Sequence, residues 1–157
     1  LQKNTNLLLN LLSDFDVLLS TNRRFMLGVW LGEAILKGRS AKEKYVLDKN
    51  VRYQITLWGP NDEILDYAGK QWSGLVEDYY LPRWRLFTKY LNQSLIEGTP
   101  FQQHVFDKDV FASAELAFIV SEKKYPSYPQ NGTYVVAKYC YMKWSRYLEN
   151  SIMSEVG

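Results

Sequence analysis

Leu65-Asp-Tyr-Ala-Gly-Lys-Gln-Trp-Ser-Gly-Leu-Val-Glu-Asp-Tyr79 carries the cleanest apolar stripe in the chain. Leu65, Ala68, Trp72, Leu75, Val76 and Tyr79 recur at three- and four-residue spacing, the period of an amphipathic helix. Pro82 is expected to stop or kink that helix. Beyond it, Trp84, Phe87, Leu91 and Leu95 share a side until Gly98-Thr-Pro100 closes the run. Further on, a helix is expected over about 107–121 with Val110, Ala114, Ala117 and Phe118 inward. Turn-rich residues 124–132 follow, and then a last helix with Val135, Val136, Tyr139, Cys140, Trp144, Tyr147 and Leu148.

The same period extends upstream. Trp58-Gly-Pro-Asn-Asp62 interrupts it, because Gly followed by Pro does not continue a helix. Ahead of that break, Ser40 and Glu43 form a capping box for a helix over about 41–57. Helices over about 23–36 and through Leu8, Leu11, Leu12, Phe15, Leu18 and Leu19 complete the set. No alternating segment is long enough to compete as a strand. The expected fold class is all-α, a helical bundle of about six to seven helices in a single helical domain over 1–157.

Composition narrows the function classes. Lys and Arg number 19 against 17 acidic residues, too balanced for a chain whose main partner is nucleic acid or an anionic membrane. The longest apolar run, Leu116-Ala-Phe-Ile-Val120, is far short of a membrane span. Cys140 and His104 are each alone of their kind, which argues against a disulfide, a metal cluster or a His-based triad, so no cofactor or metal is implied. The chain opens without Met or a secretory signal, and is expected to be a portion of something longer. Aromatic residues reach 15%, enough for a heavy core or for a surface that grips sugars.

Catalytic machinery is thin. Asp62, Glu63 and Asp66 are the one tight acidic group beside a loop, and their plain reading is charge at a helix N-terminus. More informative is Leu57-Trp-Gly-Pro-Asn-Asp-Glu-Ile-Leu-Asp-Tyr67. Here Trp58 sits on a Gly-Pro loop outside any stripe, and Ile64 and Tyr67 fall three apart on what reads as a first helical turn. A Trp face stacks on a sugar ring while a Tyr hydroxyl hydrogen-bonds it; the competing reading of Trp58 is a loop anchor in the core. Two N-glycosylation sequons begin at Asn92 and Asn131, the second in a loop-like segment.

At this segment the chain resembles the C-terminal helical domain of the α-N-acetylglucosaminidases, glycoside hydrolase family 89. The likeness runs through Arg52-Tyr-Gln-Ile-Thr-Leu-Trp-Gly-Pro60, Ile64-Leu-Asp-Tyr-Ala68, Tyr79-Tyr-Leu-Pro-Arg-Trp-Arg-Leu-Phe87 and Pro100-Phe-Gln-Gln-His104. It reaches back to Gly28-Val-Trp-Leu31 and loosens after Tyr139. The resemblance implies hydrolysis of terminal α-linked N-acetylglucosamine, in animals on heparan sulfate in the lysosome. It also implies a retaining mechanism with two glutamates on a (β/α)₈ barrel of the same polypeptide, absent here. No catalytic residue is therefore expected in this chain, which alone should be inactive.

Carried over by position, Trp58, Ile64 and Tyr67 would complete the sugar pocket. Arg52, Arg83 and Arg85 would fasten helices, and His104 and Asp107 would fasten a loop. The implied partners are the barrel and an N-acetylglucosamine-terminated glycan, with no nucleic acid and no membrane. A homo-oligomer formed through the full-length enzyme is compatible with the resemblance. Residues alone leave a second reading open, a self-standing helical module that binds glycan or protein.

Overall fold

The computed structural model describes residues 2–58, 64–66 and 68–155, with backbone alone at 58, 64, 65 and 148–155. Among the described residues seven α-helices appear in order: α1 (Gln2–Leu19), α2 (Leu27–Ile35), α3 (Ala41–Thr56), α4 (Leu81–Glu97), α5 (Gln103–Val110), α6 (Ala117–Val120) and α7 (Thr133–Glu155). A two-residue antiparallel ladder, β1 (Leu57–Trp58) with β2 (Ile64–Leu65), is the only sheet among the described residues. The all-α reading therefore holds.

Local chemistry explains several boundaries. Ser40 Oγ accepts from the Glu43 amide at 3.1 Å, and the Glu43 carboxylate reaches back to the Arg39 amide at 2.6 Å, so the capping box forms one residue wider than drawn from sequence. Gly98 closes α4 in the left-handed region (φ 63°). Arg23–Phe25 is a short 3₁₀ turn, not the start of α2. Met26 is extended there and bridges Ser73: the Leu27 amide donates to the Ser73 carbonyl at 3.0 Å, and the Ser73 amide to Phe25 at 2.7 Å.

The stripe from Leu65 to Tyr79 is where sequence and structure differ most. Leu65 lies in β2, residues 68–73 are irregular, and regular helix begins only at Leu75. Val76–Tyr80 is then a π-turn, closed by the Leu81 amide on the Val76 carbonyl, and it runs straight into α4. Pro82 does not break the helix. It sits in the first turn of α4, and the wider turn before it relieves the clash its ring would make with the carbonyl four residues back.

A second π-turn, Phe111–Leu116, joins α5 to α6. Its extra residue shifts the inward face, so Val110, Ala114, Glu115, Phe118 and Ile119 are buried while Ala117 is exposed. The two π-turns pack on each other.

Leu27, Leu31, Ile55, Leu57, Leu75, Tyr79, Phe118 and Ile119 form the core. Around it α2 packs on α3, α3 on α6, α4 on α5, and α1 against both α4 and α7. Arg52 is buried to 1% exposure among these elements. Its guanidinium donates to Asp48 (3.1 Å) and to the Phe118 and Lys123 carbonyls (3.3 and 2.7 Å), which neutralises the cost of its burial. Asp14 of α1 ties down α7 through Trp144 Nε1 at 2.9 Å and Lys143 at 2.6 Å.

Candidate functional site

The end of α3 places the segment singled out from sequence. Thr56 and Leu57 are buried, and the Thr56 hydroxyl donates to the Arg52 carbonyl at 2.7 Å. With that anchor, the chain leaves the helix directly into β1. In the ladder Leu57 pairs with Leu65 and Trp58 with Ile64. Two of the three expected sugar-contacting positions thus stand opposite one another on adjacent strands. Ile64 belongs to β2, however, and not to the first turn of a helix, so its expected helical face with Tyr67 does not form. Tyr67, along with Asp62 and Glu63, lies outside the described residues, as do the side chains of Trp58 and Ile64.

Immediately after β2 the backbone turns. Asp66 takes a left-handed conformation (φ 53°) while its amide donates to Thr56 at 2.7 Å and its carbonyl accepts from Gly69 at 2.8 Å. Asp is one of the few side chains that tolerates this region. Both Asp66 carboxylate oxygens accept from Arg83 Nη1, at 3.0 and 2.9 Å. Arg83 Nε meets the buried Glu115 carboxylate at 3.0 Å. One guanidinium therefore ties the turn after β2 to α4 and to the π-turn beyond α5.

Aromatic rings surround this junction. The Arg83 guanidinium lies 5.0 Å from the Tyr79 ring centre, and the Tyr79 hydroxyl, buried, finds no hydrogen-bond partner among the described residues. Burial is the main cause that raises the Tyr79 pKa; the Arg83 cation opposes it, and Asp66 and Glu115 add to it. Tyr80 is pushed up to about 12, again by burial first and then by the Asp66 charge. Asp66, Tyr80, Arg83, Trp84, Phe87 and Phe106 line a cavity of about 290 Å³. Trp84, expected on a helical stripe at the core or the barrel interface, is 41% exposed at this cavity.

The arrangement suits binding and not bond cleavage. Aromatic faces with a carboxylate and a guanidinium stack on and hydrogen-bond a ring that is half apolar. Asp66 and Glu115 are both engaged by the same cation, so neither stands ready as a free general base or nucleophile. Among the described residues no cluster of His, Cys, Asp or Glu has a metal-binding arrangement.

Arg83 fulfils the fastening role expected of it. Arg52 also fastens, but through Asp48 and backbone carbonyls rather than the downstream acids. His104 is exposed on the first turn of α5 and Asp107 accepts from Gln103 of that helix, so among the described residues this pair is not seen to brace a loop. Asn131 lies in an exposed bend, whereas Asn92 is half-buried within α4. The residues missed from sequence are Asp66, Tyr80 and Trp84 as cavity walls. For Tyr80 and Trp84 the signal was the interleaving of aromatics and arginines in Tyr79-Tyr-Leu-Pro-Arg-Trp-Arg85.

Residues 1–143 match the family described as the alpha-N-acetylglucosaminidase (NAGLU) C-terminal domain. Human alpha-N-acetylglucosaminidase is 48% identical over 134 residues, covering 85% of this chain and 18% of the human protein. A family 89 glycoside hydrolase from Clostridium perfringens, solved with PUGNAc, superposes with a TM-score of 0.69 at 25% identity, over 87% of this chain and 16% of that one. The same enzyme with 2-acetamido-1,2-dideoxynojirmycin gives 0.67 at 24% identity, over 88% and 16%. The chain thus spans less than a fifth of the length of these glycoside hydrolases. With a family match running over nearly all of its helices, this chain belongs to the α-N-acetylglucosaminidase C-terminal domain family.

Proposed function

We propose that this chain is the C-terminal helical domain, over 1–157, of a glycoside hydrolase that removes terminal α-linked N-acetylglucosamine. In this reading Trp58, Ile64 and Tyr67 form one wall of the sugar pocket, and the domain supports a catalytic (β/α)₈ barrel elsewhere in the polypeptide. The observation that carries it is the pairing of Trp58 with Ile64 on a ladder clamped by Asp66 and Arg83. Such a clamp is what a binding wall needs, because its position must be fixed before the ligand arrives.

The chemistry belongs to the barrel. A retaining glycosidase uses two carboxyl groups about 5–5.5 Å apart, one as nucleophile and one as acid/base. The charged groups around Arg83 serve fastening instead, so the 157-residue chain alone is inactive. The full enzyme acts on the non-reducing ends of heparan sulfate in the lysosome, and any homo-oligomer is built through that enzyme. Asn131 suits glycan attachment by its exposure; Asn92, half-buried inside α4, does not.

Trp58→Ala tests this reading. In the complete polypeptide it should lower kcat/KM on an aryl α-N-acetylglucosaminide by about five- to thirty-fold, as loss of an aromatic contact of about 1–2 kcal/mol would. The thermal midpoint should move little. Normal turnover in the folded variant would return Trp58 to a core anchor, and hydrolysis by the 157 residues alone would overturn the division of labour.

A further inference from the structure

Glu115 is a carboxylate in an unusual place. It is buried to 3% exposure on the π-turn Phe111–Leu116, which packs on the other π-turn, Val76–Tyr80. Such turns are rare in helices and occur frequently at functional positions. Here each of the two presents one residue to the same guanidinium. Tyr79 brings its ring centre 5.0 Å from Arg83, and Glu115 meets Arg83 Nε at 3.0 Å.

Stability alone is a weak reason to bury this carboxylate. Taking a carboxylate and a guanidinium out of water costs about as much as their attraction returns, and well-packed apolar side chains of similar volume commonly do as well. What the ion pair supplies, and an apolar pair does not, is direction. Arg83 reaches both oxygens of Asp66 through the single atom Nη1, at 3.0 and 2.9 Å, and one donor atom is a pivot. A second contact at Nε, with the Tyr79 ring beside the guanidinium, removes rotation about that pivot.

Asp66 passes the constraint to the ladder. It directly follows β2, its backbone is left-handed (φ 53°), and its amide donates to the Thr56 carbonyl at 2.7 Å. Two residues earlier, Ile64 pairs with Trp58. A strained backbone angle persists only where its surroundings over-determine it. With the guanidinium free to pivot, Asp66 would relax and β2 would shift against β1.

We propose that Glu115 is a positioning residue for the sugar pocket, acting through Arg83 and Asp66 to hold Trp58 and Ile64 in place on the β1–β2 ladder. It touches no substrate in this role, which rests on the reading of Trp58 and Ile64 as pocket wall. The wall is then ordered on folding rather than on binding, so that none of the affinity for the sugar is lost to ordering it.

Steady-state kinetics of the complete polypeptide on an aryl α-N-acetylglucosaminide tests this role. Glu115→Met keeps the volume and removes the acceptor. It should raise KM about five-fold or more with kcat within about two-fold, because a displaced wall weakens ground and transition states alike. Glu115→Gln keeps an acceptor for Nε without the charge and should raise KM about two- to three-fold. It decides the matter where Glu115→Met yields no folded protein. On a Trp58→Ala background either substitution should raise KM by less than about two-fold, since the wall it positions is already lost. Asp14→Asn, which loosens α7 from α1 outside this network, should lower the thermal midpoint with KM within about two-fold of wild type. A normal KM in Glu115→Gln, a loss confined to kcat, or losses that multiply on the Trp58→Ala background would overturn the role of Glu115 while leaving the pocket wall in place. So would an equal rise of KM in Asp14→Asn. An unchanged kcat/KM in Trp58→Ala would remove the wall itself, and the positioning role with it.

Discussion

Asp66 holds a backbone angle that costs a side-chain-bearing residue about 1–2 kcal/mol, and Arg83 is what makes the cost sustainable. Arg83→Met keeps the length of the side chain while leaving two carboxylates without their cation, one of them buried. It should lower unfolding free energy by about 2–3 kcal/mol in denaturant titration, less than a fully buried pair because Arg83 is partly exposed. Asp66→Asn, which tolerates the same angle and still accepts a hydrogen bond, should lose about half as much. An unchanged midpoint in Arg83→Met would remove Arg83 from its fastening role. At this scale the sequence was readable in kind: an arginine near several acids reads as a clamp. It did not disclose the partner for Arg52, because two of the three acceptors are carbonyls from a segment nearly seventy residues away, and carbonyls carry no sequence signature.

The helix that begins at Leu75 has no cap of its own. Asp16, from the last turn of α1, accepts from the amides of Gly74 (2.7 Å) and Glu77 (3.0 Å) and from Ser73 Oγ (3.1 Å). A helix start capped across the fold cannot be read from local residues, which is why the stripe from Leu65 read as continuous helix while its first half is strand and turn. Asp16→Ala leaves those amides without their acceptor and should cost about 2 kcal/mol in thermal or chemical unfolding. Burial pushes the Asp16 carboxyl above the ordinary aspartate value, against the pull of the Gly74 and Glu77 amides. The folded chain therefore keeps this proton to higher pH than the unfolded one. The group's contribution to stability is full below about pH 4 and declines as pH rises through its folded midpoint. Asp16→Asn should abolish that part of the pH slope; an identical slope in wild type and variant would rule out Asp16 as its source.

Across the whole molecule the aromatic content divides between a modest core and an apolar exterior. Phe15 and Leu11 on α1, Trp84 at the Asp66 cavity, and Tyr134, Val135, Tyr139, Tyr141 and Met142 along α7 all stand exposed. Val135, Tyr139 and Met142 share one face of α7 by their spacing, and apolar surface of this kind is usually covered in an assembled protein. The 157 residues alone should therefore associate as concentration rises, seen as growing weight-average mass in sedimentation equilibrium; a monodisperse monomer at high concentration would mean these faces need no cover. Fold class was legible from periodicity because helices announce themselves every turn. The Asp66 cavity was not, since its walls come from three separate stretches, Asp66, Tyr80 to Phe87, and Phe106, brought together only by packing. The paired π-turns have a consequence for chain length. Each adds one residue to a helix and so rotates everything downstream by about 100°. A single-residue deletion within Phe111–Leu116 would close the wide turn to ordinary α-helix and leave Phe118 and Ile119 facing inward, whereas closing it without a deletion would turn Ile119 outward and Ala117 inward; the wide turn is how the helix carries one residue more at the same address.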